Sequence, residues 1–165
     1  MARLMEYADR MQVDRLIFFM GFPWANDPTP DDFRRQNDQV IQALAHWRDR
    51  ALGLAYINPR YEQESLAEIE RCVKNGPLVG IKLWVAVRCN DPRLDSIIRR
   101  THELQGLIYQ HTWIKTTGNL PGEEHAAGSG RARPATSPHP ADLRTYRQYL
   151  GAGDPDDSRA VEPVW

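Results

Sequence analysis

Only two of the 165 residues are cysteine, Cys72 and Cys89, and they form no CxxC pair. That excludes a disulfide framework and a thiolate zinc site, and it favours a reducing compartment, the cytoplasm. No apolar run reaches the roughly 18 residues of a membrane span, and the N-terminal MARLMEYADRM is charged throughout, so neither insertion nor an export signal is expected. Neither sign of charge dominates: 21 basic residues against 22 acidic ones leave a net charge of -1, which offers no footing for nucleic acid or an anionic membrane. Lysine is scarce too, with only Lys74, Lys82 and Lys115 among the basic residues. From Gly122 to Trp165 there are five Pro and five Gly but no Ile, Phe, Met or Lys. Such a stretch cannot bury enough apolar surface to offset the entropy of ordering its backbone, so a disordered tail over 124–165 is expected after a domain over 1–123.

What is present is an ordinary globular composition, 41% hydrophobic and 26% charged. DRLIFFM (Asp14 to Met20), ALGLAYIN (Ala51 to Asn58), LVGIKLWV (Leu78 to Val85) and GLIYQH (Gly106 to His111) are short apolar runs bounded by Gly, Pro, Asn or Asp, and they read as buried strands. Between them lie helical patterns. Asp31 to His46 gathers Phe33, Val40, Ile41, Leu44 and Ala45 on one face, and Tyr61 to Lys74 gathers Leu66, Ile69 and Val73. Pro92 to Leu104 gathers Leu94, Ile97, Ile98 and Leu104, with Asp91 as N-cap and Pro92 at the first helical position. The alternation implies βαβ crossovers and a parallel sheet, an α/β fold. The chain opens on a helix, Ala2 to Met11, whose Leu4, Met5 and Ala8 need a sheet to pack on; a strand before it is missing.

Ligands of open parallel α/β folds sit beyond the carboxyl ends of the strands. That rule points to Trp24, Asn58, Lys82, Trp84, His111, Trp113 and Lys115. His111 ends an apolar strand, where an imidazole serves equally as a metal ligand or as a hydrogen-bonded strand terminus. Lys82 is either a buried cation at a site or a snorkelling strand-end lysine, and Trp84 and Trp113 either wall a planar substrate or pack the core. His46 and His102 on helices, and His125 and His139 in the tail, read as solvated.

The segments DRLIFFMGFPW, RRQNDQVIQALAHWRDRALGLAYINP, SLAEIERCVKNGPLVGIKLWVAVRCNDPRLDSII and QHTWIKTTGNLPGE resemble the amidohydrolase-related family of TIM-barrel metal enzymes, which includes the aminocarboxymuconate semialdehyde decarboxylase-like proteins. The resemblance runs from about Leu4 to Glu123. It implies a partial (β/α)8 barrel in which the four strands correspond to family strands two to five. It also implies a divalent metal, Zn or Mn, in intact relatives, with His111 on the strand-five metal ligand and a small-molecule substrate against Lys82, Trp84, Trp113 and Lys115. The other family ligands have no counterpart here: neither an HxH pair nor a GHTG segment occurs.

The tail has a second property. Written with suitable synonymous codons and read one base later from Glu124, it spells STPPDLAALARRHP and then, from Asp142 to Arg147, TCGHTG, the continuation the family would have. The expectation is therefore a truncated, frameshifted relative of a metal-dependent hydrolase or decarboxylase that holds no metal stably and is inactive as given. The alternative is a non-enzymatic interaction module that self-associates through open sheet edges.

Overall fold

A computed structural model describes residues 2–47, 49–112 and 118–123. Trp113, Lys115 and the proposed tail 124–165 lie outside the described residues, as do His125 and His139. Within them the elements run α1 (Ala2–Arg10), β1 (Leu16–Phe18), α2 (Pro30–Trp47), β2 (Ala51–Gly53), β3 (Ala55–Tyr56), α3 (Glu62–Ile69) continued by a π turn over Glu70–Lys74, β4 (Gly80–Leu83), α4 (Leu94–Glu103) and β5 (Leu107–Gln110). All strand pairs are parallel: β1 with β2, β3 with β4, and β4 with β5.

The expected strand over 51–58 is divided. Its first half pairs with β1 and its second half with β4, and the hinge at Leu54 still donates its N–H to Phe18 C=O while Gly53 C=O accepts from Val79 N–H. The segment thus faces a neighbour on both sides, and the spatial order follows the chain order, as in a barrel wound in one direction. Gly80 is required where β4 meets β5, because a Cβ there would strike the Leu107 backbone.

The helices cover one face of this sheet. Val40 and Leu44 of α2, Ile69 of α3, Cys72 of the π turn, and Leu94 and Ile97 of α4 pack on Ala55, Ile57, Ile81 and Leu83. Three expectations fail at the margins. Leu4 is 45% exposed, since α1 presents only Met5 and Ala8 inward. Ala45 is exposed, whereas the polar Gln36 and Asn37 are fully buried on the same helix. The last helix begins at Leu94 with Arg93 as N-cap; Asp91 instead accepts the Arg93 N–H at 3.0 Å and pairs with its guanidinium, forming a turn ahead of the helix.

The edge strands are less covered than the middle. Ile17 is 45% and Tyr109 44% exposed, and Ile17, Phe18, Phe19, Met20 and Phe22 line an open groove beside α2. No helix among the described residues is long and apolar enough to cross a membrane.

Candidate functional site

The face opposite the helices carries a different set of side chains. Alternation along β4 sends Ile81 and Leu83 into the helix-covered core and Lys82 the other way. Lys82 is completely buried, and its Nζ lies 4.3 Å from the Tyr109 ring centroid, 5.2 Å from Trp84 and 5.3 Å from Phe19. Burial pulls its pKa down to about 7.

Beyond the carboxyl ends of the strands the rings continue. The Trp84 ring stacks on His111 with centroids 4.1 Å apart, and Trp24 meets Trp84 edge-on at 5.9 Å. Trp84 Nε1–H donates to Asn26 Oδ1 at 3.1 Å. His111 is fixed through its backbone, whose N–H continues the β4–β5 ladder to Leu83 C=O. Its Nε2 stands 3.5 Å from Oε1 of Glu123, a carboxylate only 1% exposed.

Glu123 arrives on a turn strapped over the end of β4. Gly122 lies so close to the Val85 carbonyl that a Cβ would collide with it, and Arg88 donates to Pro121 C=O at 3.1 Å. The other Glu123 oxygen accepts the Leu120 N–H at 3.0 Å, so the carboxylate is aimed by its own turn. Sequence reasoning missed Glu123, Asn26, Phe19 and Tyr109; only the Gly of NLPGE, which permits the close approach, signalled that Glu123 could be carried inward.

Of the residues expected at the site, the structure brings Lys82, Trp84 and His111 together, with Trp24 as the half-exposed outer wall. Asn58 belongs elsewhere: its amide donates to Asp27 Oδ1 and Pro28 C=O, and its backbone carbonyl accepts from the Ser65 hydroxyl and the Tyr61 N–H, so it ties down the loop after β1. His46 and His102 are exposed, as expected.

Among the described residues the donor set is too small for the metal the resemblance implies. His111 and Glu123 are two donors, whereas protein metal sites of this kind use three or four, and no group of three or more His, Cys, Asp or Glu is placed to hold an ion among the described residues.

No protein-family profile matches the chain, and no curated protein matches it. Solved structures do. The fold matches a 2,6-dihydroxybenzoate decarboxylase from Rhizobium with a TM-score of 0.61 at 16% identity, over 89% of this chain and 47% of that one. It matches a 5-carboxyvanillate decarboxylase from Novosphingobium aromaticivorans, solved with bound manganese, with a TM-score of 0.59 at 18% identity, over 90% and 43%. A proposed amidohydrolase from Staphylococcus aureus matches with a TM-score of 0.60 at 17% identity, over 73% and 44%. The chain spans less than half the length of each. It has the fold of part of the TIM barrel found in these amidohydrolase-type enzymes and decarboxylases.

Proposed function

We propose that this chain is a portion of a metal-dependent amidohydrolase-like hydrolase or decarboxylase, acting in the intact form on a small planar substrate, and that it is inactive as given. The observation that carries this reading is the placement of His111 at the carboxyl end of β5, stacked on Trp84 and facing the buried Glu123. Trp84 and Trp24 supply aromatic faces for a planar ring, and Lys82 supplies a buried amine behind them; Trp113 and Lys115, outside the described residues, are the other two substrate-binding residues of the proposal. His111 and Glu123 alone do not make a metal site. The two cysteines, both buried and not joined in a disulfide, fit a reducing compartment, the cytoplasm.

The test is turnover. The chain incubated with Mn²⁺ and 2,6-dihydroxybenzoate should release no CO2 above a no-protein control. A version restored by one base near codon 124 and extended upstream should gain HxH and GHTG segments and metal-dependent turnover. Metal-dependent CO2 release by the chain as given, lost in His111→Ala, would overturn the inactive reading; tail codons that do not spell CGHTG in the shifted frame would overturn the frameshift.

A further inference from the structure

The two described lysines have opposite surroundings. Lys74 is half-exposed and paired with Glu70 at 3.0 Å. Lys82 is 0% exposed, and no carboxylate reaches its Nζ among the described residues; desolvation is what lowers its pKa. It stands in register with Tyr56 on β3 and Tyr109 on β5, and Phe19, Trp84 and Tyr109 wall the amine. Each ring face favours an ammonium modestly, while burying an ion costs more than such contacts return. The rings therefore offset only part of the cost, and the neutral amine is well populated near neutrality.

The wall has a movable side. Phe19 follows β1 and Tyr109 lies on β5, the two edge strands, yet their rings meet at 5.5 Å across the curled face and close over Lys82. Tyr109 is 44% exposed, so rotation of that ring opens the cage without disturbing the helix-covered core.

We propose that Lys82 is a nucleophilic amine that forms an imine with a small, largely apolar aldehyde or ketone admitted past Tyr109. The Nζ lone pair adds to the carbonyl carbon, and the carbonyl electron pair moves to oxygen, which takes up a proton. The resulting carbinolamine loses water as nitrogen releases its own proton and C=N forms, so that carbonyl and amine give imine and water. The inference stands on the surroundings of Lys82 alone; the absence of turnover by the chain, or its presence, leaves it untouched.

The scarcity of lysine makes the test direct. The intact folded chain is treated near pH 7 with propionaldehyde and sodium cyanoborohydride, whose hydride reduces the imine carbon and leaves N-propyl-lysine, and the time course is mapped by peptide mass. Lys82 should be alkylated at least about tenfold faster than Lys74, because an ordinary lysine is almost wholly protonated at that pH. In concentrated urea the two rates should converge. Alkylation of Lys82 no faster than that of Lys74 in the folded chain, or an advantage that persists in urea, would overturn the proposal.

Discussion

Two buried polar clusters lie on opposite faces of the same sheet, and they are built differently. On the helix-covered face, the Asn37 amide donates to Tyr56 C=O and Glu68 Oε2, its oxygen accepts the Tyr56 N–H, and Glu68 takes two bonds from Arg71 and one from the Cys72 thiol. Burial alone would push the Glu68 carboxyl up, but these bonds from Arg71, Asn37 and Cys72 outweigh it and hold its pKa below the ordinary value. On the other face Lys82 has ring walls and, among the described residues, no counter-ion, and His111 has Glu123 at 3.5 Å. The satisfied cluster pins α2 and α3 to β3. The other is held by aromatic rings rather than by a hydrogen-bond network around Lys82, and burying that amine costs stability where it sits.

Disturbing the satisfied cluster should have the larger effect. Asn37→Ala leaves the Tyr56 N–H and C=O and one Glu68 oxygen short of a partner in the interior, and it should lower unfolding free energy by about 3 kcal/mol. Urea denaturation followed by tryptophan fluorescence measures this; a loss below about 1 kcal/mol would mean that the network is not the pin described.

Lys82→Met should sharpen the contrast through pH. The folded pKa of Lys82 is depressed to about 7 from an ordinary lysine value, so between those two pKa values the unfolded chain binds more protons and stability rises with pH. Between pH 7 and pH 9 this contributes about 2 kcal/mol to the wild type, and the rise should be absent from the methionine variant. Burial pushes the Cys72 thiol up to about 12, which acts in the opposite direction above the ordinary thiol pKa, so the informative quantity is the difference between variant and wild type at each pH. An identical pH dependence in the two proteins would show that Lys82 is not desolvated.

The same contrast explains what the sequence could reveal. Strands, crossovers and the parallel order were legible because apolar runs and helical periodicity report directly on burial, as at Ile81, Leu83, Leu94 and Ile97. His111 was legible because it terminates such a run. Asn37 and Gln36 were not, since periodicity counts apolar residues and a polar side chain buried in a helix face resembles an exposed one. Glu123 was hidden for a related reason: it follows Leu120-Pro121-Gly122, a turn that reads as surface, and only the three-dimensional approach of Gly122 to Val85 turns its carboxylate inward. The division of 51–56 between two partner strands at Leu54 likewise depends on tertiary pairing and leaves no mark on local composition.

The proposal that this chain, with His111 as its metal ligand, holds no ion stably is tested most directly by the metal content of the purified chain. After loading with Mn²⁺ or Zn²⁺ and exhaustive dialysis, elemental analysis should find far less than one ion per chain, with no difference between wild type and His111→Ala. One retained ion per chain, lost in His111→Ala, would contradict it.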